Sequence, residues 1–138
     1  MAEPDPKVMK QVLADLRGFD KEKRRTAVMK LGMIGGDQAV RALIMTVKNE
    51  HEDPIARGRA ALMLGKLRDL RALEPLVDAL SAPGRTTPVY AAEALGKIGD
   101  PRAINPLLEA LGSKSEQLQI AAAESLSILG YKPEEAKT

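Results

Sequence analysis

The single histidine of the chain lies in the sequence Glu50-His51-Glu52-Asp53, where an imidazole is surrounded by carboxylates. Donors of these types could hold a divalent cation, but a tight transition-metal site needs several imidazole or thiolate ligands. The chain has no Cys and no second His. A solvated loop is therefore the favoured interpretation, and we predict no metal and no cofactor.

Two carboxylates four residues apart, Glu74 and Asp78, are the clearest pair that could carry out acid–base chemistry. Catalysis of that kind also needs a nucleophile or a base beside the acid, and no such constellation is visible in the sequence. The same spacing is common on exposed helix faces. We therefore predict no catalytic residue and a protein that is not an enzyme.

A basic segment suggests contact with phosphates. It comprises Lys21, Lys23, Arg24, Arg25 and Lys30, with Arg57 and Arg59 further on. Acidic residues interrupt the segment, the net charge of the chain is only +2, and there is no Trp to stack on bases. Another protein is therefore the predicted partner, and nucleic acid is disfavoured.

The composition is typical of one globular domain. Hydrophobic residues make up 44% of the 138 residues and charged residues 29%. No apolar run reaches the roughly 18 residues of a membrane span, and the amino-terminal segment lacks the apolar stretch of a signal peptide. Because Cys is absent, a reducing compartment fits the composition. We predict a cytoplasmic protein without a membrane partner.

The elements that must position any site recur along the chain. Four similar segments end at Gly32, Gly65, Gly96 and Ser127, which are 33, 31 and 31 residues apart. After each of the first three comes a second segment with apolar residues at i, i+3, i+4 and i+7, a spacing that forms one stripe of an α-helix. The repeating unit is therefore a pair of helices.

Turn signals mark the ends of these helices. Gly99 can end a helix in the left-handed conformation, Asp100 can cap the next helix, and Pro101 fits its first position. We expect eight helices, at about 6–17, 21–34, 38–49, 54–67, 70–81, 87–98, 102–112 and 116–129. They form one predicted domain, residues 1–130, followed by a charged tail, residues 131–138.

The unit from Ala91 to Ile104 resembles the HEAT-like repeat of phycobilin lyases, and the resemblance extends over residues 7 to 130. It implies an all-α fold, a right-handed α-α superhelix of roughly four helix pairs, in which the second helices line the concave face where partners bind. Such repeats occur in binding scaffolds, lyase subunits and a few enzymes. The alternatives to a scaffold are a lyase-like subunit that handles a chromophore and a nucleic-acid-binding protein.

Deoxyhypusine hydroxylases also resemble this repeat, and they carry His-Glu pairs on the first helices as iron ligands. The equivalent positions here are Arg25-Thr26, Gly58-Arg59, Val89-Tyr90 and Ile120-Ala121. None of them is a His-Glu pair. The resemblance therefore does not extend to the iron ligands.

The second helices have a set of positions outside their buried stripe, which we call the second-helix ladder. We predict that a protein partner binds this ladder, at Lys7, Lys10, Gln11, Gln38, Arg41, Met45, Glu74, Asp78, Asn105 and Glu109. The ladder is basic at its amino-terminal end and mildly acidic further on, which favours a partner of complementary charge. Arg71 and Arg102 are instead expected to pair with Asp69 and Asp100. The predicted function is a protein–protein interaction scaffold or adaptor without catalytic activity.

The last predicted helix has no second helix to cover it. It carries Leu118, Ile120, Leu126, Ile128 and Leu129. Terminal repeats normally need a polar outer face. We expect the tail, a partner or a second copy of the chain to cover this helix, the last of these giving a homodimer.

Overall fold

The computed structural model describes residues 4–132, and this part of the chain forms eight α-helices and no β-strand. The helices are α1 (Pro6–Leu16), α2 (Lys21–Ile34), α3 (Gly36–Lys48), α4 (Pro54–Leu67), α5 (Leu73–Ala79), α6 (Thr86–Ile98), α7 (Ile104–Ala110) and α8 (Glu116–Ile128). The even-numbered helices are the first helices of the repeat, and the odd-numbered ones are the second helices. None of them is both long and apolar enough to cross a bilayer. The predicted all-α superhelix of eight helices is confirmed.

Short polar residues start the helices where the sequence predicts them. The Asp5 and Asp53 side chains accept hydrogen bonds from backbone N–H groups in the first turns of α1 and α4, and Pro6 and Pro54 are the first residues of these helices. A cap of this kind stabilises a helix by about 1 kcal/mol. Proline costs nothing at the first position, since the N–H there would have no partner in the helix. These residues fix where the helices begin.

The second helices α5 and α7 are shorter than predicted. In each of them a single 3₁₀ turn, Leu70–Ala72 or Pro101–Ala103, precedes the α-helix. Pro75 and Pro106 are the third residues of α5 and α7, where a residue without an N–H group is tolerated because it lies in the first turn. The α-helical hydrogen-bond pattern therefore begins just ahead of each proline.

Neighbouring first helices approach each other closely at small residues. A Cβ atom added to Gly65 would lie 2.7 Å from the Cα of Ala94, and one added to Gly96 would lie 2.8 Å from the Cβ of Ser125. The Ser125 hydroxyl also donates a 2.6 Å hydrogen bond to the Ala92 carbonyl. The backbones of α4, α6 and α8 are thus held in direct contact, with no room for larger side chains between them.

The two layers of the solenoid differ in how closely their helices are spaced. Neighbouring first helices contact each other extensively, α4 with α6 above all, whereas neighbouring second helices make sparse contacts. Because the first helices are closer together, the stack curves toward them, and they form its concave side. The expectation that the second helices line the concave face is therefore wrong. The physical reason is that glycine and alanine at the contacts shorten the first-helix layer.

The end of the stack is better covered than the sequence predicts. Leu118 and Leu126 are buried, and only Ile120 and Ile128 of the predicted apolar set are exposed. Tyr131 packs against the core, and its N–H donates a 2.9 Å hydrogen bond to the Leu126 carbonyl. The start of the predicted tail thus covers part of α8. Residues 133–138 of that tail lie outside the described residues, and a homodimer through α8 stays a prediction.

Candidate partner-binding faces

The second-helix ladder lies on the convex side of the solenoid, and all ten of its predicted residues are exposed. The structure does not bring them into one cleft, because the second helices are spaced apart. Five of them line separate grooves on this side, and one of these five is Met45, in a groove with residues of α1. Lys10 and Gln38 share the groove between α1 and α3, and Asp78 and Glu109 share a groove of about 590 Å³ between α5 and α7.

Some ladder residues already have partners within the chain. The Arg41 guanidinium lies 3.1 Å from the Asp37 carboxylate, and the Gln11 amide donates a 2.9 Å hydrogen bond to Asp15. Arg71 also contacts Asp37. Hydrogen bonding from Arg71, with the nearby charge of Arg41, lowers the pKa of the Asp37 carboxyl. Arg41 and Gln11 are therefore less available to a partner than the sequence suggests.

The predicted pairing of Arg71 and Arg102 is confirmed. The Arg71 guanidinium lies 2.9 Å from the Asp69 carboxylate, and the Arg102 guanidinium lies 2.8 Å from the Asp100 carboxylate. These hydrogen bonds lower the pKa of both aspartates. The same carboxylates accept backbone N–H bonds at the start of the 3₁₀ turns. These four residues stabilise the 3₁₀ turns, and we do not assign them to a binding site.

Two arginines of the basic segment of α2 serve the repeat interface. Two Arg25 nitrogens donate hydrogen bonds of 2.6 and 2.8 Å to the Asp53 carboxylate, and Arg24 donates one of 3.1 Å to Glu52. The hydrogen bond from Arg25 lowers the pKa of Asp53 to about 2. Arg57 in turn donates a 2.7 Å hydrogen bond to the Val47 carbonyl. These arginines hold α2, α3 and α4 together.

Acidic residues in the loop of His51 also form contacts within the chain. Glu52 and Asp53 point to the arginines of α2, and His51 itself is exposed. Across residues 4–132 no three histidine or carboxylate side chains converge in a group that could hold a metal ion. The carboxylates of Glu52 and Asp53 are thus part of the α2–α4 contact.

The concave side carries a strip of apolar residues that the sequence reasoning missed. Ile55, Leu62, Val89, Tyr90 and Ile120 lie at the positions of α4, α6 and α8 that face away from the second helices. The Tyr90 ring lies beside Gly58, where an added Cβ would come within 3.1 Å of the tyrosine Cδ2. Ile55 and Ile120 are exposed, and the others are half-buried. The strip therefore offers apolar surface to a ligand along three repeats.

A cleft of about 430 Å³ opens between α6 and α8 on this side, and we call it the α6–α8 cleft. Its lining comprises Arg85, Thr86, Val89, Tyr90, Glu93, Gln117, Ile120, Ala121 and Glu124. Glu93 and Glu124 occupy the same position of successive repeats. None of the ion pairs found within residues 4–132 involves either of them. The cleft therefore combines an apolar floor with two carboxylates that have no cationic partner in this part of the chain.

One signal in the sequence could have located this face. The positions equivalent to the hydroxylase His-Glu pairs include Val89-Tyr90 and Ile120-Ala121, and both pairs line the α6–α8 cleft. The helices that carry those positions are also the ones with glycine and alanine at their contacts. Together these two features point to the first helices as the inner layer.

Comparisons with known proteins identify the same repeat. The family model described as HEAT repeats matches residues 6–87 and 79–138. Among curated proteins, none is significantly similar to the chain. Three of the similar solved structures are human deoxyhypusine hydroxylase in complex with glycerol, the complex of CpcE and CpcF of phycocyanin lyase from Nostoc sp., and an engineered protein.

All three structures share the fold at low sequence identity. The hydroxylase is 23% identical with a TM-score of 0.74, and the match covers 94% of this chain and 45% of that one. The lyase complex is 22% identical with a TM-score of 0.63, covering 99% and 71%. The engineered protein is 22% identical with a TM-score of 0.65, covering 94% and 65%. At these identities the likeness shows the fold alone, and the chain spans less than half of the hydroxylase.

These comparisons contradict the prediction that the chain is not an enzyme. A hydroxylase and a lyase are both among the similar structures, so enzymes use this fold. The missing catalytic constellation in the sequence is not sufficient ground for that exclusion, because a site on a repeat scaffold is assembled from residues of several helices.

Proposed function

Because the chain belongs to the HEAT-repeat family, we propose that it is a helical scaffold that binds a protein partner on the concave side formed by α2, α4, α6 and α8. The observation that carries this proposal is the apolar strip on that side. Ile55 is 42% exposed and Ile120 is 59% exposed. Exposed apolar side chains grouped on one face of a folded domain are typical of an interaction site. From its composition, we still predict a cytoplasmic protein.

The second-helix ladder is a second surface for the same function. Its groove between α5 and α7 places Val77 and Pro106 beside the carboxylates of Asp78 and Glu109. A partner that binds the convex side would contact these residues and Met45, which is exposed on α3. The two faces point in opposite directions, so separate variants distinguish them.

A subunit of a lyase that handles a bilin chromophore is the second candidate function. The complex of CpcE and CpcF favours it, because that match covers 99% of this chain. A chain with this function would bind a free bilin. Mixing the purified protein with a bilin and recording the visible absorbance tests the candidate. A spectrum that equals the sum of the separate components contradicts it.

Affinity capture with three versions of the chain tests the scaffold. The wild type, Ile120→Glu on the concave side and Met45→Glu on the convex side are tagged, and captured proteins are identified by mass spectrometry. Ile120 and Met45 are similarly exposed, at 59% and 66%, so both substitutions should leave the fold intact. We expect a partner that is lost with Ile120→Glu and kept with Met45→Glu. A partner lost only with Met45→Glu moves the site to the ladder and contradicts the proposal.

A further inference from the structure

The α6–α8 cleft has the shape and lining to receive a side chain of the partner. Its floor is formed by Val89, Tyr90, Ile120 and Ala121, and its volume is about 430 Å³. That volume lies within the range of about 300–1,000 Å³ for sites that bind small groups. The helices on either side cannot close it, because α6 and α8 already touch where Gly96 meets Ser125. The cleft is thus a fixed feature of the repeat.

The two carboxylates of the cleft favour a cationic ligand. Glu93 on α6 and Glu124 on α8 both line the cleft, and they form no ion pair within residues 4–132. Arg85 is the one cation in the lining, and it lies at the amino end of α6, two helical turns from Glu93. Two neighbouring carboxylates repel phosphate groups and attract a cation, with which they can form charge-assisted hydrogen bonds. The apolar floor beside them matches the aliphatic stem of Arg or Lys.

The concave side also changes in character along the stack. The position occupied by Glu93 and Glu124 in the last two repeats is occupied by Met29 and Leu62 in the first two. Neighbouring helices in a stack are about 8–10 Å apart. An extended segment advances about 3.3 Å per residue, so a residue that contacts Leu62 and one that contacts Glu93 are about three positions apart.

From this arrangement, and building on the scaffold function proposed above, we propose that the concave side binds an extended segment of the partner. This segment carries Arg or Lys in the α6–α8 cleft. It also carries an apolar residue about three positions away, which lies over Leu62. The cationic side chain binds between Glu93 and Glu124, and its stem packs on Tyr90 and Ile120. The segment thus has a fixed direction along the solenoid, with its apolar part toward α2 and its basic part toward α8.

Selection from a phage-displayed library of random peptides tests this proposal. The full chain is the bait, and the enriched peptides are then measured by fluorescence anisotropy. We expect enrichment of Arg or Lys with an apolar residue about three positions away. Against the isosteric double variant Glu93→Gln/Glu124→Gln, these peptides should bind at least about tenfold more weakly, a loss of about 1.4 kcal/mol. The binding should also weaken as the salt concentration rises.

A matched control separates the cleft from general charge. Glu74→Gln/Glu109→Gln removes two carboxylates from the convex side, and it should leave the affinity of the selected peptides unchanged. The proposal of a ligand with Arg or Lys is overturned by either of two results. One is enrichment of peptides without basic residues, and the other is equal affinity for the wild type and the Glu93→Gln/Glu124→Gln variant. The scaffold is tested separately: a captured partner that is lost with Ile120→Glu but kept with Glu93→Gln/Glu124→Gln supports the scaffold and rules out this ligand chemistry.

Discussion

Gly65 and Ala94 touch across the α4–α6 contact, and a Cβ on Gly65 would lie 2.7 Å from the Cα of Ala94. This contact sets the spacing of the first helices and therefore the curvature of the solenoid. Gly65→Ala should separate α4 from α6 and lower the free energy of unfolding by about 1–3 kcal/mol, the usual cost of overpacking. Urea unfolding followed by far-UV circular dichroism measures it. Gly112→Ala is the control, since its Cβ would meet only the Glu109 carbonyl oxygen at 3.4 Å. Equal stability of Gly65→Ala and the wild type would show that the helices are not in direct contact.

The Arg25–Asp53 ion pair should make stability depend on pH. Asp53 has its pKa lowered from 3.8 to about 2 by Arg25. A carboxyl with a lowered pKa in the folded state contributes stability above its unfolded pKa, and that contribution is lost as the pH falls through the folded value. The wild type should therefore lose stability as the pH falls from about 4 to about 2, and Asp53→Asn should lose less over that window.

Asparagine can still cap α4 at position 53, so the comparison isolates the ion pair. Urea unfolding at a series of pH values gives the two slopes. Asp78→Asn, an exposed carboxylate in the convex groove, is the control for the loss of one charge. If Asp53→Asn and the wild type show the same pH dependence, the ion pair does not contribute to stability.

Arg68 ends α4 in the left-handed conformation, with φ at 54°. This conformation costs a residue with a Cβ about 1–2 kcal/mol, and glycine avoids most of it. We expect Arg68→Gly to raise the free energy of unfolding by about 1 kcal/mol. Lys66→Gly, two residues earlier in the helix, should instead lower it by about 1 kcal/mol. Thermal melts of the two variants beside the wild type give the signs, and a decrease for both would contradict the assigned turn.

The exposed isoleucines of α8 provide a test of the predicted homodimer. Ile128 is 66% exposed and lies close to the end of the stack. If two copies meet there, Ile128→Lys should convert a dimer to a monomer by placing a charge in an apolar contact. Light scattering over a range of concentrations measures the mass. A wild type that stays monomeric at all concentrations rules out the homodimer.

The sequence predicts the helices well because their signals are local. The starts at Asp5 and Asp53 follow from residues that cap helices in any context, and the periodic leucines define one buried stripe. The curvature is harder to predict, because it depends on how two layers compare with each other. Gly65 and Gly96 allow the close spacing of the first helices. Their role can be recognised only when the facing residues on the next repeat are known.

The candidate site was also predictable only where the signals are local. The ladder residues are exposed as predicted, since helical periodicity determines which positions are buried. The α6–α8 cleft was missed because Glu93 and Glu124 are separated by one repeat in sequence and line one cleft only through the packing of two helices. The uncovered apolar face predicted on α8 was overestimated because Leu118 and Leu126 turn inward.

Site-specific photo-cross-linking tests the binding face most directly. A photoreactive amino acid is placed at position 120 on the concave side or at position 45 on the convex side, where the natural residues are similarly exposed. After irradiation with the captured partner, we predict a covalent product from position 120 and none from position 45. A product from position 45 alone would contradict a binding site on the concave side.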